Sequence, residues 1–272
     1  MKPATAGAVE RTVQQRSPSG SNERRDTVAS EVPIALHYNE APFAVLMATP
    51  CDLADLALGF SLSEAIVESR DEVRIDGIEE SVDGIAIRMA IPALRAGVLE
   101  DRRRNLPGYG GCGVCGSATV ESVLRAPPLI ASELRIDENA LHRALAELRE
   151  RQPLNAATGA THAAGFANAD GELRLVREDV GRHNALDKLI GAMAAADIDS
   201  DSGFAIVTSR ASYELAMKAA QAGIPLLAAI SAPTSLAIAL AESAKLCLIG
   251  FAREGHCGVY AHAERLTHAF PL

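Results

Sequence analysis

From residue 31 onward the apolar positions fall into short alternating runs and helical stripes, and the two patterns divide the chain. Ile34 to Tyr38 and Phe43 to Met47 predict two strands joined through Asn39-Glu40-Ala41-Pro42, most simply as a hairpin. Leu53, Leu56, Ala57 and Phe60 share one face of a predicted helix over Asp52 to Glu64, with Asp52 near its start. Glu72 to Ile78 and Ile85 to Met89 read as two further strands around Val82-Asp83-Gly84. This first part is expected to be a small α+β unit. Leu141, Leu145 and Leu148 predict a helix that Asp137 caps and that runs to about Arg151. From Gly171 strands alternate with helices: strands at Glu172 to Val176, Phe204 to Thr208, Ile224 to Ile230 and Leu246 to Gly250, helices over Arg182 to Ala195, Ser212 to Ala222 and Ser235 to Ala244. Such alternation predicts an α/β unit, a parallel or mixed sheet covered by helices.

Residues 1–30 carry Arg, Ser, Glu and Gln with no apolar run, so they hold neither a secretory segment nor a membrane anchor and are expected to be a disordered tail. The rest is expected to divide into an α+β domain over 31–126 and an α/β domain over 127–272. Ala219 to Ala241 is free of charge and long enough to raise the question of a membrane span. Pro225 and Pro233, with Gly223, Ser231, Thr234 and Ser235, predict a buried strand, a turn and a helix there instead.

Composition adds three constraints. Hydrophobic residues make up 48% of the 272, aromatic residues only 4%, and Trp is absent, so the core is built from Ala, Leu, Ile and Val, which suits a sheet under Ala-rich helices. A formal charge of -9 argues against general nucleic-acid binding, so an anionic ligand has to be held locally. Five cysteines, an odd number and unevenly spaced, do not make a disulfide framework, and a soluble protein of a reducing compartment is expected.

Two of those cysteines carry the first candidate chemistry. Cys112 and Cys115 stand in Gly111-Cys112-Gly113-Val114-Cys115-Gly116, preceded by Gly108 and Gly110, where little stiffens the backbone. Ser117 is placed to cap a helix through Leu124, which would set both thiols ahead of a positive helix end and raise their thiolate fraction. A zinc site needs four ligands, and this pair supplies two; Cys247, Cys257, His256 and His262 could supply others, with no second C-x-x-C. A thioredoxin-like site would follow an early strand and open a long helix, and a purely structural pair would seldom sit among so many glycines. Beside these readings, the favoured one is a sulfur-carrying nucleophile, in which one thiol accepts sulfur as a persulfide.

The second candidate is the carboxyl edge of the predicted sheet, where open α/β sheets bind ligands. Arg177-Glu178-Asp179-Val180-Gly181-Arg182-His183, Ser209-Arg210, Ser231-Ala232-Pro233-Thr234-Ser235 and Phe251-Ala252-Arg253-Glu254-Gly255-His256 follow its four strands. Arg177, Arg182, Arg210 and Arg253 are suited to pair with phosphates, and helix starts at Arg182, Ser212 and Ser235 offer backbone N–H groups. A phosphorylated ligand, such as a nucleotide, is the natural inference, although polar residues and caps are also what any strand-to-helix turn carries. His183 and Asp187, one helical turn apart, are a possible acid/base pair or a plain surface hydrogen bond.

The chain resembles the formate dehydrogenase accessory sulfurtransferases, the FdhD family, from about Glu31 to its end. Cys112-Gly113-Val114-Cys115-Gly116, then Glu178 to Lys188 (EDVGRHNALDK), then Ser231 to Ala237 (SAPTSLA) carry the resemblance. It implies a sulfurtransferase that takes sulfur from a cysteine desulfurase as a persulfide. The sulfur would pass to the molybdenum cofactor, as bis(molybdopterin guanine dinucleotide), for formate dehydrogenase. By motif, Cys112 is implied to bear the persulfide, Cys115 to assist, and Phe251, Ala252, Arg253, Glu254, Gly255 and His256 to contact the cofactor, with His256 where family members often carry Arg. Arg182, His183, Arg210 and Ser231 join them as candidate cofactor-binding residues at the strand ends. The resemblance also implies a cytidine-deaminase-like three-layer C-terminal fold, a homodimer and a cytoplasmic location, with no resident metal. The triplet His262-Ala263-Glu264 follows the C-x-x-C instead of preceding it, so it does not supply a deaminase zinc signature. A cofactor-binding chaperone without sulfur chemistry and a zinc-binding C-x-x-C protein are the alternative functions.

Overall fold

A computed structural model of the chain describes residues 5–104, 126–253 and 255–268. Residues expected as a disordered tail instead form β1 (Ala8–Ser17) and β2 (Gly20–Ala29), an antiparallel hairpin with Ala8 opposite Ala29 and Ser17 opposite Gly20. Composition correctly marks this segment as unable to bury a core, yet a hairpin satisfies its own backbone by cross-strand pairing. Val9 sits opposite Val28, Arg25 pairs with Glu10 at 3.3 Å, and Ser30 N donates to Gly7 O at 2.7 Å to close the base.

The next four strands build the small sheet. β3 (Val32–Tyr38) pairs antiparallel with β4 (Ala41–Ala48) and parallel with β6 (Gly84–Ala90), and β6 pairs antiparallel with β5 (Arg74–Ser81). Ile34, Leu36 and Tyr38 alternate inward with Ile85, Ile87 and Met89, and together they bury against Leu56, Ala57 and Phe60 of α1 (Leu53–Ser63). Asp52 precedes α1 in a left-handed conformation, φ 51°, and does not cap it through its side chain. A second helix, α2 (Ala93–Arg104), follows β6.

Beyond residue 126 a short β7 (Ile136–Asp137) leads into α3 (Glu138–Glu150), which Asp137 caps by accepting from Asn139 N. After α4 (Pro153–Thr158) come β8 (His162–Asn168), β9 (Leu173–Asp179), α5 (Arg182–Ala195), β10 (Gly203–Val207) and α6 (Tyr213–Gln221). The chain continues through β11 (Leu226–Ala229), α7 (Ser235–Ala244), β12 (Cys247–Arg253) and β13 (His256–Ala261), and β14 (Leu266–Thr267) returns to pair with β7. The six-stranded sheet has the order β13-β12-β11-β10-β8-β9. Ala205 and Val207 face the cluster formed by α5, α6 and α7, whereas Phe204 and Ile206 face Leu141, Leu145 and Leu148 of α3. Helices therefore cover both faces, and the protein is a mixed α/β fold with several sheets. The charge-free Ala219–Ala241 stretch is the end of α6, buried β11, a turn and α7. Among the described residues no helix is long and apolar enough to cross a membrane.

The two sheets meet through their helices. Gly59 of α1 and Gly191 of α5 let the backbones touch: a Cβ on Gly59 would overlap the Asp187 carbonyl, and one on Gly191 would overlap that of Asp55. Around this crossing lie two buried charge clusters. Lys218 Nζ reaches Asp187 at 2.9 Å, Glu64 at 2.7 Å and the Ser63 hydroxyl at 2.9 Å. Lys188 Nζ reaches Asp179 at 2.7 Å with neither side chain exposed, and donates to Thr49 O at 3.0 Å.

Candidate functional site

Strands β10, β11 and β12 are mutually parallel, and β9 joins them in direction because β8 lies antiparallel to both β9 and β10. Their carboxyl ends thus share one edge, together with the first residues of β8 and of β13, which is antiparallel to β12. This brings Arg182, His183, Arg210, Ser231, Phe251, Ala252, Arg253, Gly255 and His256 to the same edge. It also adds His162, which opens β8. Sequence reasoning missed that strand because His162-Ala-Ala-Gly-Phe-Ala-Asn168 carries no β-branched residue. His162 itself was the available signal, a titratable residue immediately before an apolar run.

Not every polar residue at the edge is free for a ligand. Arg177, expected as an anion ligand, is held by Asp55 at 2.8 Å and so braces β9 against α1. Glu178 is buried and accepts from Leu154 N, Asn155 N and the Thr161 hydroxyl, tying α4 to β9. Asp179 accepts from Thr49 N at 3.0 Å, Gly181 N at 2.8 Å and Asn184 Nδ2 at 3.0 Å as well as from Lys188. Asp187 is spent on Lys218 and on the Ser63 hydroxyl at 2.5 Å, so the His183–Asp187 pair does not form. Asp179, Asp187 and Lys188 therefore hold the small-sheet unit to the large sheet, through Thr49 and Ser63. They present Arg182 and His183 at the edge.

Among the described residues, each of these two keeps a buried nitrogen without a hydrogen-bond partner, Arg182 Nε and His183 Nε2, the nearest acid to His183 being Glu214 at 3.9 Å. Burial, followed by the charges of Arg182 and Lys218, pushes the His183 pKa down to about 4. His183 is accordingly a neutral hydrogen-bonding group at physiological pH, not a cation. Arg210 and Arg253 are exposed and form no salt bridge among the described residues, and Ser231 is half-buried with its backbone bridging Ser209 O and Phe251 N.

The β12 end has an irregular backbone. Gly250 pairs with Gly258 and Arg253 with His256, so Phe251 and Ala252 together oppose Cys257 alone in a β-bulge. Phe251 adopts φ 50°, costly for an aromatic residue, and exposes 39% of its surface, whereas Ala252 is buried, backbone included. Gly255, φ 71°, turns the chain into β13, whose His256 is exposed. Cys112, Cys115, the expected Ser117–Leu124 helix and Glu254 lie outside the described residues.

Among the described residues no group of three or more His, Cys, Asp or Glu side chains can hold a metal. Cys247 is buried, its thiol pushed up to about 12 chiefly by that burial, and His262 is engaged by Glu264 at 3.0 Å and Glu242 O at 3.2 Å. A concavity of about 180 Å³ among α1, α5 and α6, lined by Leu62, Val67, Ile190, Met193 and Ile198, contains no cationic side chain and is separate from the edge.

The profile of the FdhD/NarQ family matches residues 29–267. The chain belongs to the FdhD/NarQ family. Its relatives include the sulfur carrier protein FdhD of Xanthomonas campestris pv. campestris, 59% identical over 264 residues that make up 97% of this chain and 94% of the relative. The sulfur carrier protein FdhD of Cupriavidus necator is 51% identical over 91% of this chain and 86% of its own. In fold, this FdhD/NarQ member is similar to a formate dehydrogenase accessory protein from Desulfotalea psychrophila. The two agree with a TM-score of 0.76 and 24% identity over 96% of this chain and 99% of that one.

Proposed function

We propose that this chain is a sulfur carrier that accepts sulfur from a cysteine desulfurase as a persulfide on Cys112. It passes the sulfur to the molybdenum cofactor, bis(molybdopterin guanine dinucleotide), held as substrate at the strand-end edge, in the service of formate dehydrogenase. The observation that carries the reading is the set of groups at that edge that are uncommitted among the described residues: Arg182 and His183 with buried atoms lacking partners, and Arg210 and Arg253 exposed without salt bridges. Guanidinium groups with backbone N–H donors at helix starts suit the diphosphates of a guanine dinucleotide. Family membership and the names of its relatives add the sulfur chemistry.

In the first step the Cys112 thiolate attacks the terminal sulfur of the donor persulfide. One S–S bond breaks, another forms, and the donor leaves as a thiolate, with no net redox change. For release, the Cys115 thiol attacks Cys112 sulfur, the terminal sulfur departs as sulfide, and a Cys112–Cys115 disulfide remains until an external thiol reduces it. Arg182, Arg210 and Arg253 hold the substrate's phosphates, and neutral His183 supplies a hydrogen bond. We further infer a domain division at 31–126 and 127–272, a cytidine-deaminase-like three-layer sheet, a homodimer and a cytoplasmic location. The strand order β9-β8-β10-β11-β12 with helices on both faces supports the deaminase-like architecture.

Mass spectrometry of the full chain after incubation with a cysteine desulfurase and cysteine tests the carrier step. One added sulfur, absent from Cys112→Ala, is expected. An unmodified wild type, or an adduct that survives Cys112→Ala, overturns the proposal.

A further inference from the structure

We propose that His162 is a further ligand-contacting residue of the strand-end edge, acting beside Arg182 on a phosphate and taking up a proton as the phosphate binds. The inference rests on the reading of this edge as a phosphate site.

Position is the first argument. His162 opens β8, the strand between β9 and β10, and lies opposite Asp179 in the β8–β9 register. The next residue locks its backbone: Ala163 N donates to the Thr208 hydroxyl at 2.9 Å, and Thr208 N donates to Ala163 O at 3.0 Å. On the other side the Thr161 hydroxyl donates to Glu178 at 3.2 Å. His162 is therefore fixed within the edge, with Arg182 only three residues beyond its register partner.

Unused bonding capacity is the second argument. The imidazole is half-buried, and neither ring nitrogen has a hydrogen-bond partner among the described residues. Neither ring nitrogen of His162 is among the buried unpartnered atoms, so both are open to solvent and to a ligand. Its neighbour Arg182 has a buried Nε that is equally unpartnered. Two adjacent donors left open at the mouth of a sheet suit one anionic group that both can reach.

The charges around His162 set the proton behaviour. Burial and then Arg182 depress its pKa, while Asp179 opposes them. Asp179 is already saturated by Lys188, Thr49 N, Gly181 N and Asn184 Nδ2, and Lys188 is paired with it. The free edge thus presents a neutral imidazole beside an uncommitted guanidinium. A phosphate arriving between them offsets Arg182 and favours the imidazolium, so binding and protonation are coupled.

Isothermal titration of the full chain with guanosine 5′-diphosphate, at pH 6.5 and 8 in buffers of different ionisation enthalpy, reads both affinity and proton uptake. His162→Gln and His162→Asn are expected to weaken binding about tenfold and to abolish the wild type's excess proton uptake, by loss of one charge-assisted hydrogen bond. Arg210→Gln is expected to weaken binding while keeping that uptake. An NMR titration of wild-type His162 is expected to show its pKa rising when the nucleotide is added. Wild-type affinity and proton uptake in both His162 variants, or an unmoved pKa, overturns the role of His162 and leaves the phosphate reading standing. Failure of the wild type to bind the nucleotide overturns both.

Discussion

Replacing Lys188 by Met removes an ammonium that lies 2.7 Å from the Asp179 carboxylate with both side chains fully buried. The carboxylate would keep three neutral donors, Thr49 N, Gly181 N and Asn184 Nδ2, at 2.8 to 3.0 Å. Dipoles offset part of its lost hydration but none of its net charge. The Thr49 carbonyl, now 3.0 Å from Lys188 Nζ, would also lose that donor. Removing one member of a buried ion pair costs about 3–5 kcal/mol, and the three surviving donors put this case near the lower end, about 3 kcal/mol. In a chain of this size that lowers Tm by roughly 10 °C. Adding Asp179→Asn removes the orphaned charge, so the double variant should recover about 1–2 kcal/mol relative to Lys188→Met alone. Reversible urea unfolding of the wild type, both single variants and the double variant gives the coupling energy directly. A Lys188→Met protein within about 1 kcal/mol of wild type, or a coupling energy near zero, would refute the view that this pair locks the two sheets together.

Gly59→Ala should cost about 3 kcal/mol by forcing apart the backbones of α1 and α5, and a wild-type urea midpoint would contradict the close crossing. Because His183 titrates near 4 in the folded state against an ordinary value near 6.5, the unfolded chain takes up its proton first as the solution is acidified. The stability this represents is present above pH 6.5 and lost as pH falls toward 4, about 3 kcal/mol in all. Urea unfolding at a series of pH values should show that slope, and His183→Gln should flatten it. Arg177→Gln should lower stability by about 1–2 kcal/mol through the lost Asp55 contact and leave guanosine 5′-diphosphate affinity unchanged. Arg253→Gln should do the reverse, and calorimetry with thermal melts separates the two outcomes.

Much of the fold was legible along the chain because its signals are local. Periodicity placed α5 at Arg182–Ala195 and α7 at Ser235–Ala244, and Asp137 was recognisable as a cap. β8 escaped because Ala and Gly dominate it and burial between two neighbouring strands, not propensity, makes it a strand. The β1–β2 hairpin escaped because its strands satisfy each other's backbones without an apolar core. At the candidate site the sequence by itself determined which residue types follow each strand, the separation of the two cysteines, and the motifs shared with the FdhD family. Only the tertiary structure decided which charges remain free. Arg177 and Arg182 stand five residues apart in one motif, yet α1 supplies Asp55 to the first, while the second keeps a buried unpartnered nitrogen. That division depends on partners more than a hundred residues away. No spacing rule within the motif can encode it, because the energy of a charge is set by what packs around it.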